Sequence, residues 1–278
     1  MARSDATALP GPPPASGGRE SWVRCEHAGA TRFGTLEAGA VHLHEGDLFA
    51  GARPTGETVR LEDVKLLTPC LPSKLIGLVN NFREAAVKGS LPIPAEPLWF
   101  LKAPSCYLAP GAAIRLPAQE VGKVIYEGEL GLVIGRQARD VAEADADRFI
   151  FGYTCVNDVT ALDLITRDPF YAQWTRAKSL DGFGPFGPVI ATGLDPEKLV
   201  VRTLVKGKVR QEYPISDAIF GPRALVAHLS RQLTLLPGDV IACGTSIGIG
   251  VLRAGLTVEV SIEGIGTLTN PIEGAEPA

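Results

Sequence analysis

Residues 126–135 read YEGELGLVIG, and this stretch decides the predicted fold. Side chains alternate between the two faces of a β-strand, so a strand over 123–136 has one apolar face and places Glu127 and Glu129 together on the other. Twice the rise per residue separates them by about 7 Å. A core strand with two adjacent carboxylates is therefore the starting point for both fold and function.

The acidic pair Glu127 and Glu129 indicates a metal site. Two carboxylates on a half-buried strand need a compensating cation, because burial disfavours the charged form. A hard divalent cation accepts carboxylate oxygens and keeps positions open for water or substrate. The alternative is an edge strand whose acidic face is exposed to solvent.

A third carboxylate, Asp158, lies at the polar end of the apolar run 151–156. This run predicts a strand over 150–156, so Asp158 would lie at a strand end, where a third metal ligand is expected. The alternative is that Asp158 caps the helix-compatible stretch 160–165 by accepting from backbone N–H groups.

Two glycine-rich loops add groups that bind anions. Lys178 leads into the Gly/Pro-rich stretch 182–188, where an ammonium group could neutralise a carboxylate or an enolate, although a surface lysine at a turn is the alternative. The stretch 244–250, GTSIGIG, follows a predicted strand over 239–243 and offers consecutive backbone N–H groups. It lacks the Gly-Lys-Ser/Thr of a phosphate-binding P-loop.

The rest of the chain predicts a mainly β, α+β protein. Short apolar runs separated by glycine turns over 21–49 predict a small N-terminal β unit. Apolar residues at helical spacing predict an amphipathic helix over 222–233, and β-branched residues predict a strand over 256–262. One or two helical turns are expected over 82–88.

Composition excludes several classes of protein. The 278 residues are 45% hydrophobic and 21% charged, as in a soluble globular protein. A net charge of −4 without a Lys/Arg run argues against a nucleic-acid partner, and no apolar run is long enough to span a membrane. Five scattered cysteines without a Cys-x-x-Cys pair read as small buried hydrophobes in a reducing compartment. We therefore expect a cytoplasmic protein without a membrane partner.

Several segments in this order resemble the fumarylacetoacetate hydrolase family, and the resemblance extends from about residue 73 to residue 272. The segments are 126–135, YEGELGLVIG; 152–158, GYTCVND; 178–188, KSLDGFGPFGP; 236–241, LPGDVI; 244–245, GT; and 258–266, VEVSIEGIG.

The composition of the N-terminal part and the resemblance together imply a domain organisation. We expect a disordered tail over 1–20, a small N-terminal β subdomain over 21–70 and a mixed β-roll catalytic domain of fumarylacetoacetate hydrolase type over 71–278. Family members are usually homodimers, so the resemblance implies a homodimer here as well.

The resemblance also implies site residues. By position, Glu127, Glu129 and Asp158 would hold one Mg²⁺ or Mn²⁺, and Lys178 is similar to the active-site lysine of the family. The substrate-binding residues that the resemblance implies are Thr245 with Gly244, which would help to hold the substrate carboxylate, and Lys102, the lysine of a Phe-x-Lys run.

Family members act on 2-oxo acids and β-diketo acids. Their reactions are decarboxylation, keto–enol tautomerisation and C–C bond hydrolysis, all through a metal-bound enolate. We therefore expect a divalent-metal-dependent enzyme of this kind. The alternatives are a non-catalytic member that binds metal and an acidic ligand, and a biosynthetic enzyme that uses the same site for dehydration or cyclisation.

The sequence departs from the family where hydrolases activate water. They carry Asn-Tyr-x-x-His-x-x-Glu, whereas residues 80–88 read NNFREAAVK, so the His–Glu dyad is absent. An expected arginine is Leu162. Decarboxylation and tautomerisation need no attacking water and are favoured by this change. Glu84 could replace the histidine as a base if burial raised its pKa.

Overall fold

The computed structural model describes residues 18–117 and 121–274. Strands predominate, and helices pack around them, which confirms the mainly β, α+β class. The predicted disordered tail over 1–20 lies outside the described residues, apart from 18–20. No described helix has the length and apolar character required to cross a membrane.

The strands form one large sheet and two smaller ones. In chain order they are β1 (Ser21–His27), β2 (Ala30–Glu37), β3 (Ala40–Glu45), β4 (Arg53–Arg60), β5 (Lys65–Leu66), β6 (Leu75–Val79), β7 (Leu98–Lys102), β8 (Tyr107–Leu108), β9 (Ile114–Arg115), β10 (Val124–Tyr126), β11 (Gly128–Ile134), β12 (Ile150–Asn157), β13 (Thr160–Ala161), β14 (Gly184–Ala191), β15 (Val200–Val205), β16 (Lys208–Pro214), β17 (Val240–Ala242), β18 (Gly250–Val251), β19 (Thr257–Ile262) and β20 (Gly266–Glu273).

The helices are few and short. The α-helices are α1 (Arg83–Lys88), α2 (Leu162–Ile165), α3 (Trp174–Lys178) and α4 (Pro222–Gln232), and the 3-10 helices span Leu48–Ala50, Leu61–Asp63, Pro104–Cys106, Glu143–Phe149, Pro196–Lys198 and Ile215–Asp217. The predicted turns over 82–88 and the predicted helix over 222–233 are confirmed as α1 and α4.

The large sheet runs in the order β4-β3-β2-β1-β14-β12-β11-β17-β6-β7. Strands β11 and β17 are antiparallel, whereas β17 and β6 are parallel. Because β1 pairs with β14, the N-terminal strands extend the sheet that carries the site. The boundary of a separate N-terminal subdomain stays a prediction.

The smaller sheets complete the β-roll. One has the order β13-β10-β18, and the other has the order β16-β15-β19-β20-β9. The main core cluster lies between the large sheet, the second small sheet and α4, and it includes Leu130, Leu132, Val201, Leu225 and Val260. All five cysteines are free and buried, as the sequence indicated.

The predicted continuous strand over 123–136 is wrong at Glu127. There the chain passes from β10, which pairs with β13 and β18, to β11, which pairs with β12 and β17. Side chains replace the sheet partners at this break: Asn157 Oδ1 accepts from the Glu127 N–H at 3.1 Å, and Gln211 Oε1 accepts from the Gly128 N–H at 3.0 Å. The first acidic residue is thus presented by a break between two sheets.

The fully buried carboxylate of Asp239 joins the starts of β6 and β17. It accepts from Ser73 Oγ at 2.6 Å and from the Lys74 N–H at 3.1 Å on one side, and from the Leu236 N–H at 2.7 Å on the other. The Lys74 ammonium also contacts it. Strand β17 leads directly into the loop that carries Gly244 and Thr245, so Asp239 anchors the strand that precedes this loop.

We expect Asp239→Ala to lower the free energy of unfolding by about 3–5 kcal/mol, because it leaves a partly buried ammonium and two backbone N–H groups without their acceptor. Urea unfolding followed by circular dichroism measures this. The control is Asp195→Ala, which removes an exposed cap and should have a much smaller effect. Equal unfolding midpoints for the two variants would contradict the role of Asp239.

Candidate metal centre

Three carboxylates converge where β11 and β12 meet. Glu127 lies at the break before β11, Glu129 lies on β11, and Asp158 directly follows β12. Each offers one oxygen, and these oxygens lie within 4.8 Å of one another. The pairing of Gly128 with Asn157, together with an Asp158 N–H bond of 2.8 Å to the Glu127 carbonyl, brings them together.

Two buried lysines compensate these charges. Lys178, at the end of α3, places Nζ 2.7 Å from Glu127 Oε2 and 2.6 Å from Asp158 Oδ2. Lys102, on β7, places Nζ 2.6 Å from Asp158 Oδ1 and 3.4 Å from the carbonyl of Val159. The side chains of Lys102 and Asp158 are both 0% exposed. The predicted N-cap alternative for Asp158 is wrong, because α2 begins four residues later and this carboxylate binds ammonium groups.

The two lysines make the three carboxylates unequal. Burial acts to raise the pKa of Asp158, but Lys102 and Lys178 outweigh it, so this pKa falls below its usual value. Burial and the charges of Asp158 and Glu127 raise the pKa of Glu129 well above its usual range. Burial also raises the pKa of Glu127, against the opposing effect of Lys178. Glu129 is therefore the carboxylate with the least compensation.

The donor set fits a hard divalent cation. Glu129 Oε2 accepts from the Gly244 N–H at 2.8 Å, whereas its Oε1 is buried and has no hydrogen-bond partner. A buried carboxylate oxygen without a partner is costly, and a cation shared with Glu127 and Asp158 would satisfy it. Mg²⁺ and Mn²⁺ both prefer such oxygen ligands, so these three residues would hold either ion.

Burial acts to lower the pKa of Lys178, but the charges of Asp158, Glu127 and Glu129 outweigh it and raise this pKa above its usual value. Lys178 is therefore an ammonium group at neutral pH. Its Nζ also lies 4.9 Å from the centroid of the Phe100 ring. That ring occupies the space beside Gly77, where an added Cβ would lie 2.3 Å from its nearest atom.

Three hydrogen-bonded residues connect the acidic strand to the loop after β17. Thr245 Oγ1 donates to the Gly128 carbonyl at 2.9 Å, and the Tyr213 hydroxyl donates to the same carbonyl at 2.5 Å. Gln211 Nε2 donates to Thr245 Oγ1 at 2.8 Å. Gln211 and Tyr213 were not predicted from the sequence. The only signal for them is that both occupy inward-facing positions of β16 between exposed neighbours.

The structure brings Gly244, Thr245, Lys178 and Lys102 to the acidic cluster. The Lys102 side chain is fully buried against Asp158, and its role in substrate binding stays a prediction. Glu84 differs from these, because it is exposed on α1 and its backbone N–H donates to Asp217 Oδ2 at 3.0 Å. The burial on which its role as a base depended is absent.

The four histidines contact groups away from the cluster. His27 and His42 face Glu57 and Thr58, and His44 packs against Trp22, all in the N-terminal strands. His228 lies beside Gln232 on α4.

Comparison with known families agrees with the fold. The family described as "Fumarylacetoacetate (FAA) hydrolase C-terminal" matches residues 74–273, and a family described as "Rv2993c-like, N-terminal" matches residues 21–69. The chain belongs to the fumarylacetoacetate hydrolase family.

The chain is similar in sequence to relatives from several organisms and similar in structure to a solved isomerase. "Protein Rv2993c" of Mycobacterium tuberculosis is 46% identical over 78% of this chain and 82% of that protein. "Oxaloacetate tautomerase YisK" of Bacillus subtilis is 38% identical over 76% of this chain and 74% of its own length. A 5-carboxymethyl-2-hydroxymuconate delta-isomerase from Mycobacterium smegmatis, known from a crystal structure, is 39% identical in sequence. Its chain superimposes with a TM-score of 0.85, and the match covers 91% of this chain and 99% of the isomerase chain.

We expect Glu129→Gln to raise the Tm of the metal-free protein by about 2 °C or more and to abolish the rise in Tm that Mn²⁺ causes. A carboxyl whose folded pKa is raised stabilises the protein below its unfolded pKa, and this stabilisation is lost as the pH rises towards the folded pKa. At neutral pH, which lies above the unfolded pKa, burial of this carboxyl group therefore lowers the stability of the metal-free protein, and glutamine, which does not ionise, removes that cost.

Differential scanning fluorimetry with and without Mn²⁺ provides the measurement. The control is Glu263→Gln, at an exposed glutamate, which should change neither value. A metal-dependent rise in Tm that survives in Glu129→Gln would remove Glu129 from the ligand set.

Proposed function

We propose that this protein is a divalent-metal-dependent enzyme that interconverts the keto and enol forms of a 2-oxo acid of the oxaloacetate type. The observation that carries the proposal is the Lys178 ammonium held at 2.7 Å and 2.6 Å from two carboxylates of a cluster suited to a metal ion. The tautomerase and isomerase relatives support the same class of reaction.

The residues of the cluster would have different roles in such a reaction. Glu127, Glu129 and Asp158 would hold Mg²⁺ or Mn²⁺, which supplies Lewis-acid stabilisation of negative charge on a 2-oxo oxygen. Lys178 uses two of its three N–H donors on Glu127 and Asp158. We assign its third donor to the enolate oxygen of the substrate, where a fixed ammonium group stabilises charge as it develops.

Proton transfer is favoured over hydrolysis because no histidine of the described residues lies at the site, where the family's hydrolases use one to activate water. The four histidines contact groups elsewhere, and the family's histidine position is taken by the exposed segment of α1 that carries Glu84. Tautomerisation moves a proton between carbon and oxygen of one molecule and needs no attacking water. Decarboxylation and the C–C bond hydrolysis of β-diketo acids are the alternative reactions, and the experiment must distinguish tautomerisation from both.

The test is the decay of enol absorbance of oxaloacetate with Mg²⁺ or Mn²⁺, while carbon dioxide and acid products are followed separately. We expect metal-dependent tautomerisation, with kcat about 100-fold lower in Lys178→Met, because a positioned proton-transfer or charge-stabilising group contributes at least this much. Lys198→Met is the control, since Lys198 is exposed on a 3-10 helix and should not affect kcat.

Each other outcome identifies a different function. Carbon dioxide release that depends on Lys178 would make the protein a decarboxylase, and cleavage of an acylpyruvate would make it a hydrolase. Tight Mn²⁺ binding without turnover of either acid would favour the non-catalytic alternative, in which the site binds metal and an acidic ligand.

Glu84→Gln tests the remaining candidate base. Because Glu84 is exposed, we expect the variant to keep kcat within about threefold of wild type, as surface substitutions usually do. The same enol assay measures this, and melting temperatures confirm that the variant is folded. A loss of 100-fold or more, of the order found for a general base, would restore Glu84 as the base.

A further inference from the structure

We propose that Gln211 is a positioning residue that fixes the carboxylate-binding loop 244–247 to the metal-ligating strand β11. The inference rests on the proposed function, because it takes this loop as the element that receives the acid. Gln211 lies on β16, in a different sheet from β11, and its side chain is buried. It is therefore placed to contact both β11 and the loop from a third element.

All hydrogen-bonding groups of the Gln211 carboxamide face the site. Its Oε1 accepts from the Gly128 N–H at 3.0 Å. Its Nε2 lies 2.8 Å from Thr245 Oγ1, 3.1 Å from the Ser246 carbonyl and 3.4 Å from the Ile247 carbonyl. One side chain thus contacts the peptide between the two glutamate ligands and three consecutive residues of the loop.

The backbone partners leave only one orientation for this carboxamide. The Gly128 N–H is a donor and requires the carbonyl oxygen of Gln211, whereas the carbonyls of Ser246 and Ile247 are acceptors and require its amide nitrogen. A reversed amide would place like groups against each other at both ends. The distance between strand and loop is therefore set by one rigid group.

This orientation also fixes the hydroxyl of Thr245. Because Gln211 Nε2 donates to Thr245 Oγ1, the hydroxyl uses its single proton to donate to the Gly128 carbonyl at 2.9 Å. The three residues form a closed ring of hydrogen bonds through both polar groups of Gly128. In this ring, the Thr245 hydroxyl positions the loop, and its proton is directed at the protein and not at an incoming acid.

The metal ligands have supports that do not involve Gln211. Glu127 Oε1 accepts from Thr160 Oγ1 at 2.8 Å, and Glu129 Oε2 accepts from the Gly244 N–H at 2.8 Å. Asp158 is held by two lysines. Gln211 contacts the loop only from Thr245 to Ile247, beyond Gly244. Loss of its amide would therefore loosen this part of the loop, while the Gly244 N–H stays on Glu129 and the carboxylates keep their own partners. Metal affinity and acid affinity should respond differently.

The test compares Gln211→Leu and Gln211→Met with wild type and with the control Gln232→Leu, at an exposed glutamine of α4. Electron paramagnetic resonance measures the Kd for Mn²⁺ alone, and calorimetry measures the Kd for oxalate, an enolate mimic, on the Mn²⁺-loaded protein. We expect the Mn²⁺ Kd to stay within about threefold and the oxalate Kd to rise about tenfold, as for lost buried hydrogen bonds. KM for oxaloacetate should rise more than kcat falls.

The outcomes separate this inference from the proposed function. A wild-type protein that binds Mn²⁺ but neither binds oxalate nor turns over an acid would contradict the proposed function, and the inference would fall with it. Wild-type binding together with unchanged oxalate affinity in both variants would overturn the inference alone. A parallel loss of Mn²⁺ and oxalate binding, or failure of both variants to fold, would show that Gln211 is part of the scaffold and would also overturn it.

Discussion

The ion-pair arrangement around Asp158 is the interaction on which the site depends. A carboxylate without solvent contact is bound by Lys102 from β7 and by Lys178 from α3, so three separate segments must meet at one buried charge. Removing any member would leave the others charged in an apolar surrounding, which is more costly than never having buried them. This mutual requirement ties the edge of the large sheet to its centre.

The same arrangement leaves one carboxylate uncompensated, and this imbalance gives the site its chemistry. Two ammonium groups serve Asp158 and Glu127, while Glu129 has only a backbone N–H for one oxygen. A cluster neutralised completely by its own side chains would have little affinity for a cation. A cluster with one excess negative charge in a low-dielectric surrounding attracts a cation strongly. Incomplete compensation is therefore compatible with a stable fold and favourable for metal binding.

Much of this could be predicted from local sequence, and the rest depends on long-range pairing. Glu127, Glu129 and Asp158 follow from strand periodicity and from the position of a carboxylate at a strand end. The break at Glu127 does not, because the side chains that bind its backbone are distant in sequence. Gln211, which accepts from the Gly128 N–H, is 83 residues away, and no local pattern sets its register. The resemblance indicated that Lys102 belongs to the site, but only the folded structure shows that its Nζ contacts Asp158.

Gly77 has a consequence that extends beyond β6. Its missing side chain is the space into which the Phe100 ring fits, and that ring forms the apolar floor beneath the Lys178 ammonium. A larger residue at this position must displace the ring, which would then shift from its place beside the ammonium group. The glycine on β6 thus influences the surroundings of the Lys178 charge at the end of α3. A residue without a functional group affects the electrostatics of the site in this way.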